Sequence, residues 1–299
     1  MSAEHDPDTA GSDRVERMSA EQDPDTRRAE ARAGWDRVAG GWRQLQDRVG
    51  AVGMPVARWM IDAIEPQPGQ RVLELAAGTG EVGFLAAELI APGGTLVCSD
   101  GAEAMVEQAR GRAAELGVEH VEFKRLELEW IDLEAASVDA ALCRWGYMFA
   151  LDRDAALRET RRVLRPGGRL ALATWASLEH NPWAAIRQQA LAAEGHPPPA
   201  PPTPFDLGTT ELLHELLEGA GFAEVETDAV EVTFEHDGID DYWDLTVAVS
   251  RAFAELLDTL DEEATSRLRE RIAQGAAAYA QPDGTLRFPG RALVAAATA

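Results

Sequence analysis

The chain has 299 residues, 52 acidic against 28 basic, a net charge of −24 and two cysteines. That balance argues against nucleic acid or an anionic membrane as partner, because neutralising phosphates takes Lys and Arg. Cys98 and Cys143 fall in or beside apolar runs and read as buried free thiols, so neither a disulfide nor a zinc site is expected. No apolar run reaches membrane-spanning length, and the acidic start "MSAEHDPDT" is no signal peptide, which predicts a cytoplasmic protein.

The first segment repeats itself. "MSAEHDPDT" at Met1 recurs as "MSAEQDPDT" at Met18. Both copies are acidic and poor in large apolar residues, so residues 1–28 are expected to be a disordered leader. "AEARAGWDRVAGGWRQLQDRVG" reads as a helix with Trp35, Val38 and Trp42 near one face, and "ARWMIDAI" as a second helix. Next comes "RVLELAAGTGEVGFLAAELI": a short apolar strand, a glycine turn and a helix. Gly78 to Gly83 is literally G-x-G-x-x-G, which admits a dinucleotide as well as other adenosine-type ligands. Asp100 ends a second apolar run, "GTLVCSD", where a carboxylate can take both hydroxyls of a ribose.

Two acids weigh against a dinucleotide. Glu81 lies in the first turn of the helix, where it would repel a pyrophosphate, although it also suits the helix dipole. Glu74 ends an apolar strand and needs a partner there. S-adenosylmethionine offers an ammonium and a sulfonium, and no phosphate.

The remaining elements alternate. "AEAMVEQARGRAAELG" is a helix, "VEHVEFKRL" a strand, "VDAALCRW" a strand, and "RDAALRETRRVL" a helix. "RPGG" turns the chain into the strand "RLALATW". Strand–helix alternation with short loops predicts a parallel, doubly wound sheet whose ligand lies at the carboxyl ends of the strands. The segment from Ala176 to Gly208 is too long for a plain connection, and its "HPPPAPPTP" part reads as stiff chain walling a pocket. "TTELLHELLEGAGF" is a helix capped by Thr, and "AEVETDAVEVTF" a strand. Leu245, Val249, Phe253, Leu256 and Leu260 then form one apolar helical stripe.

The glycine segment "VLELAAGTGEVG" resembles the first motif of class I S-adenosylmethionine-dependent methyltransferases, acid-x-Gly-x-Gly-x-Gly. Glu74, Gly78 and Gly80 match it, and Ala76 replaces the first glycine. "LCRWGYMFALDRDAALRETRRVLRPGGRLALATW" is similar to the small-molecule branch of that family, the ubiquinone/menaquinone-biosynthesis methyltransferases. The resemblance implies a Rossmann-like, mostly parallel seven-stranded sheet, with the last strand, "LRFPGRALVAAATA", antiparallel at the sheet edge. It implies one methyltransferase domain over residues 29–299, with lid helices (29–65) folded over the cofactor and helical insertions at about 176–208 and 238–280.

It also implies site residues. Ala76, Gly78 and Gly80 approach the methionine end, and Glu74 offsets its ammonium. Asp100 and Gly101 adjoin the ribose, Met105 lies against the adenine, and Glu127 with Leu128 reads the adenine edge. Arg144 steadies either the cofactor carboxylate or an anionic substrate group. Trp145, Tyr147, Met148 and Phe149 follow the fourth strand and suggest a flat or apolar acceptor. Sulfonium displacement needs alignment and water exclusion more than a catalytic side chain. If a base is needed, His180 is the best candidate of six histidines, being on the ligand side of the fifth strand; Tyr147 is second. The segment "CRWGYMF" lacks the Asn/Asp-Pro-Pro-aromatic signature of amino-methyltransferases and the carboxylates of magnesium-dependent catechol enzymes. The expectation is methyl transfer to a small apolar or aromatic metabolite, O-methylation before C- or N-methylation. An NAD-dependent oxidoreductase or a non-catalytic cofactor-binding protein are the rivals. The oligomeric state stays open, a homodimer included.

Overall fold

The computed structural model describes residues 23–196 and 202–299. The leader repeat therefore lies mostly outside the described residues, as does most of the proline run. Helix α1 starts at Pro24, inside the second repeat, where the leader is expected to run to residue 28.

Helix α1 (Pro24–Ile64) is one helix of 41 residues, where the sequence reads as two. Pro55 lies within it and removes one backbone donor. Burial overrides that local signal: Val56, Ala57 and Met60 just beyond are essentially inaccessible. From there strands and helices alternate as β1 (Arg71–Glu74), α2 (Glu81–Ile90), β2 (Thr95–Asp100), α3 (Glu103–Leu116), β3 (Val121–Arg125), β4 (Val138–Arg144), α4 (Arg153–Val163) and β5 (Leu164–Trp175). The expected "RPGG" turn is absorbed into β5. The register shifts between Val138, paired with Leu164, and Ala140, paired with Arg169, and Gly167 has a φ of +80°.

Helix α5 (Pro182–Ala193) and helix α6 (Thr210–Gly219) follow. Thr209 caps α6 as read, its hydroxyl accepting from Leu212 N at 3.2 Å. Strand β6 (Ala223–His236) leads into α7 (Ile239–Val249), α8 (Arg251–Leu257), α9 (Glu262–Ala276) and the final strand β7 (Leu286–Thr298). The expected single apolar stripe is broken at Ser250 into α7 and α8. Of its members only Phe253 is buried; Tyr242, Trp243 and Thr246 take the other buried places, and Leu245, Val249, Leu256 and Leu260 are only half-buried.

The seven strands run in the order β3-β2-β1-β4-β5-β7-β6. All pairs among the first five are parallel. This is the expected doubly wound, mostly parallel sheet with an antiparallel side. The reversed strand, β7, sits one place in from the edge, between β5 and β6. Its alanines, Ala292 and Ala295 to Ala297, are buried against the helices. Among the described residues no helix is long and apolar enough to cross a membrane.

Candidate active site

The order β2-β1-β4 places the first crossover reversal beside β1, and the carboxyl ends of β1, β2, β4 and β5 converge there. The turn after β1 is tied down by its neighbours. Leu75 N donates to Leu142 O of β4 at 2.8 Å, and Ala77 N donates to Ser99 O of β2 at 2.9 Å. Gly80 N donates to Ala77 O, closing the turn. Gly78 (φ +56°) and Gly80 (φ +85°) occupy left-handed backbone that favours glycine. Ala76 has a φ of +50°, so it accepts strain where the related motif has glycine. It faces a second tight point, since a Cβ on Gly146 would come within 2.6 Å of the Ala76 Cβ.

Asp100 is woven into this turn. One carboxylate oxygen accepts from Gly78 N at 2.9 Å and the other from Ala102 N at 3.0 Å. Burial pushes its carboxyl above the ordinary range, while the N–H groups of Ala102, Gly78 and Gly101 pull it back. Gly101 adjoins Glu127: a Cβ there would stand 3.5 Å from the Glu127 carboxylate. Leu128 packs partly buried on the main core. Met105 is buried with Val38, Ala39 and Ala102, beneath Trp35 and Trp42.

Helix α1 runs over all of this. Arg32 donates to Glu127 at 2.6 Å, and Asp36 accepts from Ala104 N at 2.9 Å. A turn or more further along, Gly50 presses on Glu81 and Gly53 on Arg144, leaving no room for a Cβ at either. Glu81 and Arg144 bond to each other at 2.6 Å, both largely buried. Glu81 is therefore one half of an ion pair, beyond its place on the helix dipole.

Glu74 is the exceptional group. It is 2 % exposed, and burial pushes its carboxyl up to about 8, against smaller pulls from the Gly83 N–H and Arg144. The Cys98 thiol lies 3.9 Å away, and no cation bonds to Glu74 among the described residues. A buried carboxylate without a cation fits a ligand that brings an ammonium.

The two proposed bases differ in setting. Tyr147 is buried, and its hydroxyl is 2.6 Å from Thr160 Oγ1, behind α4. Burial holds that phenol well above its usual range. The Tyr147 side chain thus points into the core and not toward the ligand face. His180 ends a short 3-10 turn after β5, half-exposed, with Nε2 3.5 Å from Glu179 Oε1.

Trp145, read from the sequence as part of an apolar acceptor site, belongs to a larger aromatic wall at the carboxyl ends of β4 and β5, whose Trp175, Trp183 and Phe234 the sequence did not single out. Trp145 stacks on Trp175 with centroids 4.4 Å apart and planes 15° apart. Trp183 meets Trp175 at 5.2 Å and Phe234 at 4.7 Å, with Phe205 at 6.0 Å. Trp145 itself has a φ of +59°, strained for an aromatic residue, and its buried indole Nε1 has no partner among the described residues. Buried Asn181 fixes the wall: its amide donates to Ala176 O, and its carbonyl accepts from Trp183 Nε1 and Arg291 N. A surface hollow lined by Arg71, Lys124, Asp132, Leu133, Glu134 and Ser137 lies at the amino end of β1, away from the glycine turn. Among the described residues no group of three His, Cys, Asp or Glu side chains is placed to hold a metal ion.

A family described as a methyltransferase domain matches residues 66–221. The ubiquinone/menaquinone biosynthesis C-methyltransferase UbiE of Acidiphilium cryptum is 30% identical over 176 residues, 56% of this chain and 70% of that protein. The nocamycin O-methyltransferase of Saccharothrix syringae is 35% identical over 139 residues, 46% of this chain and 48% of that protein. An uncharacterised protein of a Streptomyces fradiae transposon is 38% identical over 122 residues, 40% of this chain but only 34% of its own length. Two of these three relatives are thus spanned over half their length or less. Among solved structures, the YcgJ protein of Bacillus subtilis superposes with a TM-score of 0.55 at 19% identity, over 81% of this chain and 97% of that one, which bears on the fold alone. Strand order, glycine turn and matched family together identify the chain as a member of the methyltransferase domain family, a class I S-adenosylmethionine-dependent methyltransferase similar to UbiE.

Proposed function

We propose that the protein methylates a hydroxyl of an apolar, aromatic small molecule. The observation that carries this reading is the cluster of Trp145, Trp175 and Trp183 beside the cofactor turn, an apolar aromatic surrounding with one unpaired indole N–H among the described residues. In this reading Gly78, Gly80 and Ala76 give backbone approach to the methionine end, and Glu74 takes its ammonium. Asp100 takes the ribose hydroxyls beside Gly101. Met105 backs the adenine, and Glu127 with Leu128 N–H reads its edge once Arg32 yields. Arg144 keeps Glu81 neutralised and turns toward the methionine carboxylate.

When bound, S-adenosylmethionine supplies a methyl group on a sulfonium, a leaving group that needs no proton. The chain's own residues then align the acceptor and keep water out. Trp145 and Trp175 orient the ring, and the Trp145 Nε1–H donates to an acceptor oxygen. His180 takes the hydroxyl proton at Nε2. Half-exposed, His180 returns that proton to solvent. Tyr147 holds its hydroxyl to Thr160 and has no part in the transfer.

The nocamycin O-methyltransferase relative supports oxygen as the acceptor atom, and the UbiE relatives favour the second reading, carbon. Incubation with 13C-methyl-labelled S-adenosylmethionine and a panel of two-ring phenols separates them, because O-methyl and C-methyl carbons resonate far apart. Label on carbon, or in no product, refutes the O-methylation reading.

A further inference from the structure

The aromatic wall continues along α5 to a cation. Arg187 stands one helical turn beyond Trp183, so the two side chains share a face of α5. Its guanidinium lies over the Phe253 ring, 5.5 Å from the centroid. Tyr242, whose hydroxyl donates to Trp183 O, flanks it from α7. Phe253 and Tyr242 are both buried. Among the described residues no carboxylate pairs with Arg187 and it donates no hydrogen bond, and the one ionisable neighbour that favours its charge is Tyr242.

That isolation is unusual for this chain. Acidic residues outnumber basic ones 52 to 28, so carboxylates are in surplus. Arginines on neighbouring elements are taken: Arg32 by Glu127, Arg48 by Asp241, Arg144 by Glu81 and Arg153 by Asp206. A half-buried guanidinium that lies against an aromatic ring, with its nitrogens reachable and no anion on them, is free to take one from a ligand. Burial presses the Arg187 guanidinium below its ordinary range.

We infer that Arg187 binds a carboxylate on the acceptor, at the end of the aromatic wall away from the glycine turn. The acceptor is thus an elongated aromatic acid, its rings against Trp145, Trp175 and Trp183 and its carboxylate across the fork of Arg187. The inference rests on the proposed aromatic acceptor and narrows its class.

The test is a binding experiment and needs no turnover. With S-adenosylhomocysteine saturating, 6-hydroxy-2-naphthoic acid and its methyl ester are titrated against wild type, Arg187→Gln and Arg187→Lys, read by quenching of tryptophan fluorescence and by calorimetry. Wild type should bind the acid about ten- to a hundredfold more tightly than the ester, the range of a charge-assisted pair. Arg187→Gln should lose that preference and keep the ester affinity, and Arg187→Lys should retain part of it. S-adenosylhomocysteine affinity should stay within about twofold throughout, which establishes that the variants are folded. An acid preference that survives in Arg187→Gln overturns the role of Arg187. Equal binding of acid and ester by wild type overturns it too, with the aromatic-acceptor reading intact. Failure of both probes to bind wild type removes the aromatic acceptor and the inference with it.

Discussion

Replacing Glu74 by Gln separates what the buried carboxyl does for the fold from what it does for the cofactor. In the folded protein burial raises this carboxyl from 4.5 to about 8. A folded-state value above the unfolded one means the native protein holds a proton that the unfolded chain has already lost. The associated stability is complete below about pH 4.5 and is lost as pH rises toward 8. Each unit in that window is worth about 1.4 kcal/mol. Glutamine keeps the shape of the neutral acid and does not titrate, so Glu74→Gln should be the more stable protein above pH 5. The gap should widen by about 3 kcal/mol between pH 5 and 7.5. Urea unfolding of both proteins across that range measures it.

The cofactor reverses the preference. An ammonium calls for an ionised Glu74, so near pH 7 binding should release about one proton, and affinity should rise toward pH 8. Calorimetry with S-adenosylhomocysteine in buffers of different ionisation heat counts that proton. Glu74→Gln should release none and bind more weakly. A stability gap that is flat with pH, or a wild type that releases no proton, refutes the argument.

Asp100→Ala removes the acceptor of the Gly78 and Ala102 N–H bonds as well as the proposed ribose partner, and should weaken S-adenosylhomocysteine binding by about one and a half to three decades in a calorimetric titration. A loss below threefold would show that another residue holds the ribose. His180→Ala should lower turnover of a phenolic acceptor by about two to four decades with cofactor affinity unchanged; retained turnover removes it as the base. Tyr147→Phe should leave turnover unchanged and cost roughly 1 kcal/mol in denaturant unfolding, through the hydroxyl lost to Thr160. A large fall in turnover would return Tyr147 to the chemistry.

What the sequence disclosed was local. The glycine turn, Asp100 at the end of β2 and the Thr209 cap each follow from a few neighbouring residues, and they stand where the spacing put them. Of the aromatic wall only Trp145 was legible, because Trp175, Trp183 and Phe234 come from other segments joined to it only by the sheet order. Tyr147 misled for a related reason. Periodicity places a residue after a strand but does not say which way a short 3-10 turn points it, and here the turn points it beneath α4. Pro55 is a breaker by local rules, and the burial that carries α1 through it is set by residues distant in the chain.

Helix α1 also has two unequal halves. Beyond Pro55, Val56, Ala57, Met60, Ile61 and Ile64 belong to the main core. Before it, Val38 and Ala39 belong to a small cluster with Ala102 and Met105. Opening free energy follows buried contact, so backbone amides of the first half should exchange with solvent through local fraying, and those of the second only when the whole molecule unfolds. The missing N–H of Pro55 marks the seam between the two regimes. A fluctuation that exposed the amides of residues 24–50 would also lift Arg32 from Glu127 and Gly50 from Glu81. Deuterium uptake along α1 would accordingly fall when S-adenosylhomocysteine binds, in the first half alone.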